Sequence, residues 1–210
     1  MNKHIEDLKW RYATKKHDPN KKVSDENLDF LKKSVQLSAS SFGLQPYEIF
    51  IIQDMDLRKK LQDVSFGQPQ IVDAQYLMVF CYTTKIDAEY LDDFLQNVSK
   101  TRGVSMESLE GMRKAITGST LQFTQEQKEQ WAWRQAYIAL GFLLNAAPKV
   151  KVDVSPMEGF QNNKYDEILN LHEKNLKSAV IAAIGHRSEE DELKDALKVR
   201  KPEEELFHIL

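Results

Sequence analysis

Thr124-Gln125-Glu126-Gln127-Lys128-Glu129-Gln130-Trp131-Ala132-Trp133-Arg134-Gln135-Ala136-Tyr137-Ile138-Ala139-Leu140-Gly141-Phe142-Leu143-Leu144 is the stretch whose reading decides the fold. Thr124 with Gln127 three residues on is a capping-box signature, so a long helix starts here. Trp131, Trp133, Ala136, Tyr137, Ile138, Leu140, Phe142, Leu143 and Leu144 then point nearly all round it. A helix apolar on every face must be buried on every face, which a domain of 210 residues rarely manages alone. The stretch therefore predicts a central helix that also meets a second subunit.

Working outward, Ser24 caps a helix whose stripe is Leu28, Leu31 and Val35, ending near Ser40. Gln45-Pro46 introduces a strand over Tyr47 to Ile52, because the proline disfavours helix before it and the run is β-branched and aromatic. A short helix is predicted over Asp54 to Gln62, and a well-buried strand over Tyr76 to Tyr82. A mostly helical stretch follows from Asp87 to about Thr117. Beyond the long helix, Val150 to Val154 alternates as a short strand, Asn163 to Leu171 suits a helix, and Ser178 to Ile184 is a further strand ending at Gly185. The remainder reads as extended and charged, with an acidic run at Glu203-Glu204-Glu205 and an apolar tip at Leu206-Phe207-His208-Ile209-Leu210. Such a tail has little to bury against unless it reaches a neighbour.

Composition excludes several classes. A formal charge of −3 with 41% hydrophobic residues fits one compact domain over 1–210 and points to no nucleic-acid groove or anionic membrane surface. No run approaches a membrane span, and the charged start lacks a secretory stretch, so a cytoplasmic protein is expected. Cys81 is the single cysteine and sits in a buried-looking strand, which implies packing. The eight glycines never fall as Gly-x-Gly, and the five histidines show no paired spacing for a metal, so none is expected. No Gly-x-Ser-x-Gly is present. An enzyme of this kind borrows its chemistry from a cofactor.

What remains is a set of polar motifs in a fixed order. Arg11-x-x-Thr14-Lys15 comes first, then Ser38-Ala39-Ser40-Ser41 with Gln45-Pro46, then Gln68-Pro69-Gln70 with Asp73-Ala74. Gln135 follows, then Pro156-Met157-Glu158-Gly159-Phe160, Gly185-His186-Arg187-Ser188 and Lys198-Val199-Arg200-Lys201-Pro202. Each basic pair alone reads as solvated charge; the joint order does not.

That order resembles the FMN-dependent, oxygen-insensitive nitroreductase family over nearly the whole chain, most of all its minor nitroreductase and dihydropteridine reductase branch. The resemblance implies an α+β, three-layer α/β/α fold with a mixed, mostly antiparallel sheet. It also implies an intertwined homodimer whose C-terminal tail reaches the partner, with FMN bound non-covalently and NAD(P)H as co-substrate. By the same resemblance Arg11, Lys15, Lys198 and Arg200, helped by amides of Tyr12, Ala13 and Thr14, hold the FMN phosphate. Pro156, Met157, Glu158 and Gly159 line the flavin near N5, where a glycine permits close approach. Ala39, Ser40 and Ser41 come from the partner, while Gln70, Gln135 and Gly67 lie by the ring, and Lys15, Phe42, Gly67 and Gln70 meet the small-molecule acceptor.

The chain departs from the family pattern in three places. Ala13 replaces a serine that contacts phosphate, Gly67 an asparagine and Gln70 a lysine, which bears on substrate range more than on cofactor choice. The stretch from Asp87 to Thr120, which roofs the pocket in the family, carries only Arg102 as a candidate. The implied activity is hydride transfer from NAD(P)H to flavin, then two electrons to a nitroaromatic or quinone by alternation. No protein nucleophile is required. An enone or pteridine acceptor, or a redox-silent flavin-binding homodimer, is the alternative.

Overall fold

The structure, a computed structural model, describes residues 2–210. Four strands, β1 (Tyr47–Ile52), β2 (Tyr76–Thr83), β3 (Asp153–Met157) and β4 (Leu176–Gly185), form one sheet in the order β1-β2-β4-β3. The resemblance implied a mixed, mostly antiparallel sheet; all three pairings among the described residues are antiparallel. The longer helices are α1 (Lys3–Trp10), α2 (Asp25–Gln36), α3 (Met55–Asp63), α5 (Ala88–Arg102), α6 (Glu110–Ser119), α7 (Gln125–Ala146) and α8 (Asn162–Ile168). Two single turns, α4 (Gln70–Asp73) and α9 (Glu203–Leu206), complete the set.

The layers follow from the period of β2. Tyr76, Met78 and Phe80 point into a core shared with α2 and α7. Leu77, Val79 and Cys81, one residue out of phase, point into a second core that holds Leu61, Ile71 and Tyr165 from α3, α4 and α8. A strand covered on both faces reads as a continuous apolar run, which is why 76–82 shows no alternation. The result is a three-layer α/β/α arrangement. A third cluster, built on Leu91, Leu95, Ile116 and Trp131, packs α5 and α6 against the first half of α7.

Local chemistry sets the ends of the elements. Both bonds of the Thr124–Gln127 capping box are present, and Asp54 and Asp87 cap α3 and α5. Gly103, at φ 66°, ends α5 in the left-handed region that favours glycine. The predicted helix ending near Ser40 stops instead at Gln36, where Ser38 turns its hydroxyl to the Tyr47 phenol at 2.7 Å. The strand expected over 150–154 begins at Asp153, because 147–150 is a 3₁₀ turn closed by Lys151 at φ 53°. β3 is an edge strand, the place in a sheet where a proline such as Pro156 is tolerated. Helix α1, whose only buried residue Asp7 pairs with Lys151 at 2.9 Å, carries too little apolar pattern to be read in advance.

On α7, Trp131, Ala136, Ala139, Leu140 and Leu143 are buried, whereas Trp133, Ile138 and Phe142 remain about 40% exposed. The all-round apolar helix is thus covered on one side by its own chain. No helix among the described residues is long and apolar enough to cross a membrane.

Candidate functional site

The two ends of the chain meet. Arg11, Tyr12, Ala13 and Lys15 from the arm after α1, Pro156 from β3, and Lys198 and Arg200 from the closing segment line one pocket of about 350 Å³. Lys198 Nζ donates to the Arg11 carbonyl across 187 positions of sequence. Among the described residues no carboxylate pairs with Arg11, Lys15, Lys198 or Arg200, and no acid lines the pocket. Burial, and then Arg200, lower the Arg11 guanidinium from its ordinary value. Burial, then Arg11, Arg200 and Arg187, lower the Lys198 ammonium likewise. Partly desolvated like charges facing one space repel one another, and an anion placed there removes the cost.

Groups that sequence reading left unassigned hold this pocket open. Asp191 is buried and accepts from the Lys15 and Lys16 amides at 2.7 and 3.0 Å and from the Tyr12 phenol at 2.9 Å. Burial works to raise its pKa, but the amides of Lys16, Leu193 and Lys15 with Tyr12 outweigh it, so the carboxyl sits below its usual range. Because Asp191 takes Lys15 and Lys16, the amides of Tyr12 to Thr14 are not the ones it uses. Arg187 forks onto buried Asp153 at 2.6 and 2.9 Å and lies between the rings of Trp10 and Tyr12, 4.0 and 4.5 Å from their centroids. Ser155 donates to the Thr14 carbonyl, and Thr14 Oγ1 is buried without a partner.

Just past the end of β3, the polar logic changes. Glu158 accepts from the Tyr137 phenol of α7 at 2.7 Å. Burial, and then Glu158, push that phenol upward, so it stays a donor. The Gly159 carbonyl accepts from Gln68 Nε2 at 2.6 Å. Beside Gln68, Phe66 and Gly67 both adopt positive φ, 55° and 68°, with Phe66 71% exposed. A bulky residue held in that region is strained, and such strain gathers at functional sites. Gln70 is buried with its Oε1 unpartnered. Gly67, Gln70, Glu158 and Gly159 are therefore neighbours through Gln68. The Met157 side chain is buried in the second core, on the opposite face from Pro156.

The serine turn forms a third group. The Ser41 amide donates to Gln135 Oε1 at 2.9 Å, and Gln135 Nε2 donates to the Trp131 carbonyl. Ser40 Oγ accepts from the Gln45 amide, while Ala39 is exposed and Phe42 is 46% exposed at φ 57°. Gln135 thus belongs with the serine turn, and among the described residues no hydrogen bond joins it to Gln70. Arg102, exposed at the end of α5, meets none of the three groups.

Asp191 sits in the run Glu189-Glu190-Asp191-Glu192, where nothing separates one buried acid from solvated ones. Gln68 and Arg187 lie inside quoted motifs, so adjacency was their only signal. Tyr137 was legible only as part of an apolar helix.

A family profile described as the nitroreductase family matches residues 8–186. The "Putative NAD(P)H nitroreductase YfkO" of Bacillus subtilis (strain 168) is 31% identical over 189 residues, 85% of this chain and 86% of that protein. Among solved structures, a "putative NAD(P)H:FMN oxidoreductase" of Staphylococcus epidermidis superposes with a TM-score of 0.87 at 17% identity, covering 100% of this chain and 97% of that one. A "putative nitroreductase in complex with FMN" of Exiguobacterium sibiricum 255-15 gives 0.83 at 16% identity, covering 99% and 97%. At those identities the structures speak for the fold alone.

Proposed function

The chain belongs to the nitroreductase family, and from that premise we propose that it is an FMN-dependent oxidoreductase taking hydride from NAD(P)H and passing two electrons to a nitroaromatic or quinone by alternation at one site. The single observation that carries the reading is the acid-free pocket in which Arg11, Lys15, Lys198 and Arg200 meet beside Pro156, two residues before Glu158. Bound FMN would supply the two-electron chemistry that no side chain here offers.

The residues present fit that group. A phosphate ester brings nearly two negative charges to Arg11, Lys198 and Arg200, and each charge-assisted hydrogen bond contributes about 1.5–3 kcal/mol. The orphaned Thr14 hydroxyl and the orphaned Gln70 carbonyl oxygen offer further partners at the two ends of the site. Ala13 supplies no hydroxyl, which leaves more of the binding to the charged groups. Pro156 and the 158–159 turn line the ring, Gln70 meets its polar edge, and Lys15, Phe42 and Gly67 face the acceptor.

The serine turn and Gln135 come from a partner in an intertwined homodimer. Three observations support this: the bare Trp133, Ile138 and Phe142 row of α7, the exposed tip Phe207 to Leu210, and an apolar groove of about 600 Å³ beside edge strand β1. A cytoplasmic location completes the reading.

The deciding experiment is the absorption spectrum of the purified protein, followed by addition of NADH or NADPH. A yellow protein bleached by one of them, with parallel initial-rate lines for nicotinamide and quinone, is expected. A colourless protein that oxidises neither nicotinamide would overturn the reading, and converging lines would overturn alternation.

A further inference from the structure

The Glu158–Gly159 turn leaves the sheet at Met157 and is exposed, and its glycine is conformationally free by nature. Nothing in the strand ladder fixes it. Two side chains do, and they come from opposite layers of the fold. Gln68, between α3 and α4, donates from Nε2 to the Gly159 carbonyl at 2.6 Å and to the Ser65 carbonyl at 3.1 Å. Its own loop is anchored in turn, since Ser65 Oγ bonds the buried Tyr165 phenol at 2.7 Å and the Gln161 amide donates to the Val64 carbonyl at 2.9 Å. From the other layer, Tyr137 reaches Glu158 Oε1 at 2.7 Å, with its ring 4.5 Å from that of Trp133.

The glycine and the glutamine are matched. A Cβ on Gly159 would lie 3.0 Å from Gln68 Nε2, closer than side chains tolerate without shifting. What the absence of a side chain at 159 admits, within this chain, is the Gln68 amide. Both bonds fall on acceptor atoms, a carbonyl and a carboxylate, so neither occupies an N–H of the turn.

We propose that Gln68 and Tyr137 are positioning residues that clamp the Glu158–Gly159 turn from two layers and hold its main chain toward the flavin. The proposal rests on the functional reading above. The clamps touch neither ligand, and they act by removing the freedom of the segment that does. Displacement of such a segment by about 1 Å costs up to roughly a hundredfold in rate.

The test uses FMN-loaded Gln68→Leu and Tyr137→Phe, which keep bulk and remove the donor. The rate constant for flavin reduction by the preferred nicotinamide, measured by stopped flow, is expected to fall about tenfold in Gln68→Leu, with a smaller fall in Tyr137→Phe. Nicotinamide KM should change little, and the flavin midpoint potential should move to more negative values. A second arm needs no flavin. In urea unfolding of the apoprotein, Gly159→Ala should destabilise less in a Gln68→Ala background than in the wild type, because the amide it strikes is gone. Unchanged reduction rate and potential in both loaded variants would overturn the proposal, as would strictly additive Gly159→Ala and Gln68→Ala effects. Wild-type protein that binds no FMN would overturn the functional reading instead, with the unfolding coupling still reporting on the clamp.

Discussion

The basic pocket lies at Pro156 on β3 and the clamped turn begins at Glu158, just past the end of that strand, yet they use polar groups in opposite ways. Around Pro156, cations gather without acids, and burial together with neighbouring cations lowers the pKa of Arg11 and of Lys198. Around Gly159, polar groups are spent on the protein itself: Gln68 and Tyr137 bond the turn, and behind Gln70 the buried Arg58 donates to the carbonyls of Ile71, Ala74 and Gln75. The difference separates a surface prepared for a ligand from a scaffold that keeps its shape without one. Substitutions should obey it, costing affinity in the first region and stability in the second.

The largest effect is expected at Arg58, which is 2% exposed. Burial, its main perturbation, lowers its pKa, and only Asp73 acts to raise it. Arg58→Met would fill the space and strand three carbonyls, so a loss of about 3–5 kcal/mol is expected in urea unfolding. Binding of inorganic phosphate to the pocket should be unaffected at temperatures where the variant stays folded. A variant as stable as wild type would show that the carbonyls find water, and that this region is less rigid than its bonds suggest.

A somewhat smaller effect is expected from the buried base beneath the arm. His17 is 3% exposed with neither ring nitrogen bonded, and its Nδ1 would lie 2.9 Å from a Cβ on Gly185. Burial lowers its pKa to about 4; Asp153 and Asp191 pull upward, Arg58 and His186 downward. Above pH 6.5 both folded and unfolded forms are neutral, so the group adds no pH dependence. As pH falls from 6.5 towards 4, the unfolded chain takes up a proton that the folded one refuses, and stability drops by about 3 kcal/mol. Unfolding of His17→Gln between pH 7 and pH 4 should lose that part of the slope, and equal slopes would defeat the assignment. The arm carrying Arg11 would then owe its acid sensitivity to other groups.

These regions were unequally legible in the sequence. The continuous run of β2 and the capping box of α7 announced themselves, because each is a local pattern tied to one geometry. The convergence of Arg11 with Arg200 could be read only through motif order, since no local property of either pair reports a partner at the other end of the chain. Asp191 and Gln68 were beyond reach for a related reason: one acid in an acidic run, or one amide in a loop, takes its role from what folds against it. The start of β3 was misplaced because Val150 to Val154 alternates like a strand, while the left-handed Lys151 that ends the preceding turn leaves no sequence trace.

The smallest expected effect bears most directly on the comparison. Arg200 is exposed, and among the described residues its one hydrogen bond is to the neighbouring Val199 carbonyl at 2.6 Å. Removing it should leave the fold untouched, and it also removes a repulsion felt by Arg11 and Lys198. Arg200→Ala should therefore unfold at wild-type urea concentrations or slightly higher. Its affinity for FMN should fall by about 1.5–3 kcal/mol, roughly ten- to a hundredfold. Inorganic phosphate should raise the Tm of the wild-type apoprotein more than that of the variant, because the same charge serves both anions. A destabilised Arg200→Ala that still bound FMN at full strength would invert the assignment, making the closing segment scaffold and leaving Arg11 and Lys198 to carry the anion alone.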